Sequence, residues 1–189
     1  MTAPAAGFQR LLEALHGLRI PYMVGGSLAT SIHGIPRSTN DIDLIVDLQP
    51  PQVELLIAEL RSEFYLDPAE AIQQALETGR MFNLIHFASS YKFDFYPLRR
   101  EPYHQAAFAR RRLQPFGILG FYVCSPEDAI LAKLAWYRAG QHVSEHQWSD
   151  VLDVVRVKRD LLDAPYLRQW GQVLGVEDLV EEALRICRS

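Results

Sequence analysis

The sequence predicts an α+β fold with a helical C-terminal annex, and three observations carry that expectation. Strand-like and helix-like patterns are mixed up to about residue 125, and beyond it every periodic segment is helical. At 189 residues and 21.6 kDa the chain suits one compact domain, or one domain with a small helical addition. Apolar residues make up 49% and charged residues 22%, with a mean hydropathy of -0.05, the balance of an ordinary globular protein. The expected division is a core over 1–125 and a helical part over 126–189, packed on the core as one unit.

Each element has its own signal. Phe8, Leu11, Leu12 and Leu15 recur at helical spacing, so a short floppy leader should run into an amphipathic helix over 7–18. "IPYMVGG" reads as a strand and a turn, and "SLATSIH" as a short helix with Ser27 as its N-cap and Gly34 closing it. Ile42, Leu44 and Val46 alternate with Asp41, Asp43 and Ile45, the period of a strand. "PPQVELLIAELRSEF" is a helix with proline in its first turn, and "DPAEAIQQALETG" is another. "MFNLIHF" (81–87) and "YKFDFYP" (91–97), separated by "ASS", form a hairpin pattern. "EPYHQAAFARRR" should be helical, "ILGFYVCS" (118–125) the last strand, and Ser125-Pro126-Glu127 the cap of the next helix. Helices then follow over 126–139, about 144–160, 164–174 and 176–187.

The totals also exclude classes of function. No apolar run approaches the roughly 20 residues that span a bilayer, and the N-terminus lacks the pattern of a secretory signal. Cys124 and Cys187 make no metal-binding spacing and point to a reducing compartment, with cytoplasm as the default. The net charge of -4 gives no overall pull towards nucleic acid. Basic residues gather in "LRR" (98–100) and "ARRRL" (109–113), either as a solvated face or as a landing site for a polyanion.

The chemistry concentrates in "GGSLATSIHGIPRSTNDIDLIVDL", residues 25–48. In a strand, residues two apart point the same way with Cα atoms about 6.5 Å apart, so Asp41 and Asp43 share a face. Two like charges so close repel unless a cation sits between them, and hard oxygen ligands on a rigid strand suit Mg²⁺. In "YKFDFYP", Lys92, Asp94 and Tyr96 face away from Phe93 and Phe95. If this strand neighbours 42–46, Asp94 joins the pair. Three carboxylates could then hold two Mg²⁺ ions about 3.5–4 Å apart, as in-line displacement at phosphorus uses them. Gly25, Gly26 and Ser27 open a helix, where backbone N–H groups and the helix dipole favour a phosphate. Arg37 precedes the carboxylate strand, placed to clamp a phosphate or acceptor or to pair with Asp41 or Asp43.

Strand, Gly-Ser, helix, then Asp-x-Asp on the next strand resembles the DNA polymerase β-type nucleotidyltransferase superfamily. Ser27 and Asp41 are separated by thirteen residues. The wording "GGSLATSIHGIPRSTNDIDLIV" is most similar to its AbiEii-like branch, bacterial nucleotidyltransferases that include toxins of toxin–antitoxin and abortive-infection systems. The resemblance spans roughly residues 20–155. It implies a mixed sheet flanked by helices, Mg²⁺ dependence, and transfer of NMP from an NTP to an acceptor hydroxyl, on RNA or protein. It gives Gly26 and Ser27 the triphosphate, Asp41 and Asp43 the metals, and Asp94 a metal-binding and general-base role. A later lysine and aspartate are usual in that branch. Here "SPEDAILAKLAWYRAG" offers Lys133 to stabilise phosphate charge, and "QWSDVLDVVR" offers Asp150 and Asp153, Asp150 as a partner for Lys133. A cognate antitoxin is an implied partner.

Two other readings stand beside this one. A small-molecule nucleotidyltransferase of the aminoglycoside type needs an acidic acceptor cleft, for which Glu127, Asp128 and Glu145 are candidates. A non-catalytic nucleotide- or partner-binding module would keep the fold without turnover. His142 and His146 stand at ligand spacing on a helix, but no glutamate follows His142, so the zinc-protease pattern fails. His33 reads as a helix-end cap, and Trp136, Tyr137 and Trp148 as packing for the annex.

Overall fold

A computed structural model describes residues 3–117, 119–141 and 145–187, with side chains from residue 5 onward. In chain order it contains α1 (Ala3–Gly17), β1 (Tyr22–Val24), α2 (Gly26–His33), β2 (Asp41–Val46), α3 (Val53–Leu60), β3 (Phe64–Leu66) and α4 (Ala69–Thr78). Then come β4 (Phe82–His86), β5 (Lys92–Pro97), α5 (Pro102–Ala109), β6 (Arg112–Gln114), β7 (Phe121–Val123), α6 (Pro126–Ala139), α7 (Glu145–Lys158), α8 (Ala164–Val173) and α9 (Glu177–Ile186). Short 3-10 turns precede α3 and follow α7. The chain forms two compact units, residues 3–24 with 40–123 and residues 25–39 with 124–187.

The first unit is built on a seven-stranded sheet in the order β3-β4-β5-β2-β1-β7-β6. It is mixed: β2 runs parallel to β5 and β1 parallel to β7, and the remaining neighbours are antiparallel. Alternation decides the faces. Ile42, Leu44 and Val46 are buried while Asp41, Asp43 and Ile45 stay half-buried. Phe93 and Phe95 continue the buried face, and Phe8 of α1 stacks on Phe93 at 6.3 Å between centroids. Leu11, Leu12 and Leu15 bury the rest of that α1 stripe, and Arg10 ties α1 to Glu59 at 2.9 Å and Glu63 at 2.7 Å.

The second unit is helical. Ser125 caps α6 by accepting from the Asp128 amide at 3.1 Å, with Pro126 in the first turn, as the sequence predicts. Gly34 ends α2 where a Cβ would stand 2.9 Å from the Val154 amide nitrogen, so only glycine lets α2 approach α7 this closely.

Several local expectations fail, two of them to strand pairing. The helix expected through Phe64 stops at Leu60, because residues 64–66 instead pair with β4 and bury Phe64. The helix expected through Arg112 stops at Ala109, and Arg112–Gln114 forms an edge strand on β7. The last strand is shorter than 118–125, covering Phe121–Val123, and residue 118 lies outside the described residues. Helix α1 already runs from Ala3, so the expected leader is helical from there. His142, of the His142/His146 pair, lies outside the described residues; His146 is exposed on α7. Trp136 is 63% exposed and does not pack a core, while Tyr137 and Trp148 stack at 5.5 Å.

Candidate active site

On the sheet, register brings the carboxylates together. Asp43 and Asp94 are Cα partners on the parallel strands β2 and β5, which lie about 4.8 Å apart. Asp41 stands two residues earlier on the same face, opposite Lys92. Asp94 is only 6% exposed, and such a buried carboxylate needs a counter-charge. Lys92 supplies it: its ammonium lies 2.8 Å from Oδ1 and donates to Oδ2 at 3.1 Å. The Tyr96 hydroxyl donates to Asp43, and burial pushes that hydroxyl's pKa up, with Asp43 and Asp94 adding to the rise. Tyr96 therefore stays a neutral donor beside the acids.

Asp43 and Asp94 are paired hard oxygen donors, the kind a divalent cation prefers, and Asp41 is within one strand repeat of them. Among the described residues no group of three His, Cys, Asp or Glu side chains is gathered closely enough to hold a metal ion.

In the second unit, Ser27 is not the N-cap the sequence suggests. Gly25 occupies that position, and Gly26 begins α2 with φ +56, a left-handed conformation that suits glycine. The Ser27 hydroxyl instead accepts from Arg37 Nη2 at 2.8 Å and from Lys133 Nζ at 3.2 Å. Asp150 binds both cations. Arg37 forks onto it through Nε and Nη2, each at 2.8 Å, and Lys133 pairs with its Oδ2 at 2.8 Å. Arg37 is thus held on Asp150 and Ser27. Lys133, open to reading as an exposed helix lysine, is 6% exposed.

Burial alone would raise the Asp150 pKa, but the hydrogen bonds from Arg37 and Lys133 outweigh it and hold it below its ordinary value. Two cations share one carboxylate, so the trio keeps one positive charge beside Ser27 and the start of α2. That is chemistry for an anion.

The remaining expectations resolve individually. His33 ends α2, is buried, and donates Nε2 to the Cys124 carbonyl at 2.7 Å. Asp153 is half-buried, with Arg156 at 3.4 Å. Glu127 and Asp128 cannot line an acidic cleft, being 2% exposed each. Glu127 accepts from the Asp163 amide at 3.1 Å, and Asp128 accepts from Ser125 at 2.6 Å and Tyr166 at 2.8 Å. Lys92 and Tyr96 were given no role from the sequence, although their spacing of two from Asp94 was the signal.

No family model and no curated protein matches the chain. Solved structures do. An antigenic nucleotidyltransferase-like protein from Paracoccidioides brasiliensis superposes with a TM-score of 0.61 at 15% identity, over 96% of this chain and 92% of that one. The fold is that of nucleotidyltransferases. A lincosamide antibiotic adenylyltransferase, LnuA, solved with lincomycin bound, gives 0.52 at 13% identity over 82% of this chain and 96% of its own. ANT(2")-Ia in complex with adenylyl-2"-tobramycin gives 0.53 at 15% identity, with both chains fully covered. Within this nucleotidyltransferase fold, no helix among the described residues is long and apolar enough to cross a membrane.

Proposed function

We propose that the protein is a Mg²⁺-dependent nucleotidyltransferase that moves NMP from an NTP to an acceptor hydroxyl and releases pyrophosphate. The observation that carries this is the side-by-side placement of Asp43 and Asp94 on one face of β2 and β5. Asp43 and Asp94 would hold the metal, with Asp41 beside them on the same face, and a bound ion would offset charge on the phosphates. Asp94, buried and paired with Lys92, would accept the proton of the attacking hydroxyl. Gly25, Gly26 and Ser27 would receive the triphosphate at the start of α2. Lys133 and Arg37, already set on Ser27, would offset its negative charge. The sequence resemblance supports the AbiEii-like branch, an RNA or protein acceptor, and a role as the toxin of a pair with a cognate antitoxin.

A second reading has its own support. Two structural neighbours carry small-molecule chemistry in their names, a lincosamide adenylyltransferase and an enzyme with adenylyl-2"-tobramycin. A single experiment separates the readings. Each labelled NTP is incubated with Mg²⁺ and, in turn, total RNA, protein extract, tobramycin and lincomycin. Label transferred to RNA or protein supports the first acceptor class, and label on an antibiotic the second. No transfer to any acceptor, with no Mg²⁺-dependent NTP binding by calorimetry, overturns the enzymatic reading.

A further inference from the structure

The acids of the sheet unit share their face with a cation. Lys92 and Asp94 stand two apart on β5, so both side chains leave the same side of the strand. Their Cα partners on β2 are Asp41 and Asp43, and those on β4 are Ile85 and Asn83, which carry no charge. Lys92 therefore sits among three carboxylates rather than in a balanced network. Its side chain folds back onto Asp94, with the ammonium 2.8 Å from Oδ1 and bonded to Oδ2 at 3.1 Å.

The pair is lopsided in two ways. The lysine side chain is 40% exposed and that of Asp94 8%, so the pair meets solvent through the lysine. Oδ1 is shielded from solvent and accepts no hydrogen bond among the described residues, close as the ammonium is. One carboxylate oxygen thus has a positive charge beside it but no donor directed at it, a setting that charge satisfies better than hydrogen-bond geometry does. A carboxylate this buried keeps its charge only with a positive partner. Lys92 supplies at Asp94 the charge that a divalent ion would supply. An ion that takes Asp94 therefore meets a positive charge already there, and like charges so close repel.

We propose that Lys92 is a surrogate cation at the acid site, holding Asp94 charged and weakening the binding of a bare divalent ion there. This role rests on the reading that Asp43 and Asp94 hold the metal, and it makes a lysine, as well as the acids, set the affinity. The test titrates Mn²⁺, without nucleotide, into the full chain and reads the free ion by electron paramagnetic resonance. Lys92→Gln should bind Mn²⁺ about tenfold more tightly than wild type. Lys92→Arg keeps the charge and should stay close to wild type.

Removing Lys92 also strands a buried carboxylate, so thermal melting supplies the second readout. Without metal, Lys92→Gln should melt below wild type, and saturating Mg²⁺ should raise its midpoint by more than it raises that of wild type. A lysine that only supports the fold would lower the midpoint with no gain in ion affinity. Equal or weaker Mn²⁺ binding by Lys92→Gln, an equal rise in midpoint, or failure of that variant to fold even with Mg²⁺ would overturn the role. Mn²⁺ bound equally by wild type and Lys92→Gln but lost in Asp43→Asn would remove the role of the lysine and leave the metal reading standing. No Mn²⁺ binding by wild type or Lys92→Gln would remove both.

Discussion

Asp41, Asp43 and Asp94 occupy two adjacent strands, whereas Ser27, Arg37, Lys133 and Asp150 are drawn from α2, the loop after it, α6 and α7. The first group is ordered by backbone alone. Strand period and one parallel register put the three acids on a face, whatever the side chains prefer. The second is ordered by the side chains themselves. Asp150 holds Lys133 and Arg37, and both hold Ser27. A backbone-ordered group should lose function without losing the fold. A group built on a buried ion pair should lose stability along with function.

The sharpest way to break this contrast is Asp43→Asn. It keeps size and an acceptor for Tyr96, so the thermal midpoint should hold while NTP turnover falls by on the order of 10²–10³-fold. Loss of both would show that the acids support the fold as well. Asp150→Ala should do the reverse of a clean catalytic change. It strands a buried Lys133, and removing one partner of such a pair costs about 3 kcal/mol, read by urea denaturation. Gly34→Ala tests the seat of α2 directly. Its new Cβ meets backbone of α7 at 2.9 Å, so the unit should lose about 2 kcal/mol in the same assay, and an unchanged midpoint would show that α2 gives way.

Acid sharpens the Asp150 result. Its folded pKa is depressed, so its contribution is fully present above the ordinary value of 3.8 and is lost as pH falls through the lower folded value. The stability gap between the wild type and Asp150→Asn should therefore hold at neutral pH and narrow below pH 3.8. A gap constant down to full protonation would mean that the ion pairs contribute nothing. The smallest effect is expected of Tyr96→Phe, which removes one hydrogen bond to Asp43 and should cost about 1 kcal/mol.

Legibility follows the same division. The alternation in "DIDLIVDL" and "KFDFYP" was enough to place Asp41, Asp43 and Asp94 on polar faces, and the hairpin of β4 and β5 was visible in its two strands and short loop. Strands β3 and β6 were not visible. Three residues carry too little pattern to outweigh a neighbouring helical run, and pairing at the sheet edges decides them. Ser27 read as a cap because caps are local. Its hydroxyl is taken by Arg37 and Lys133, the latter 106 residues away. Glu127 and Asp128 looked available for a cationic ligand because sequence shows charge and not burial.

By itself, the sequence determined which residues could share a face and that α6 begins at Ser125-Pro126, since both depend on near neighbours along the chain. Only the tertiary structure decided that residues 25–39 join 124–187 in one unit and that Arg37 and Lys133 converge on Asp150. The physical reason is that periodicity acts over a few residues, whereas the pairing of a buried charge is settled by whichever distant segment packs against it.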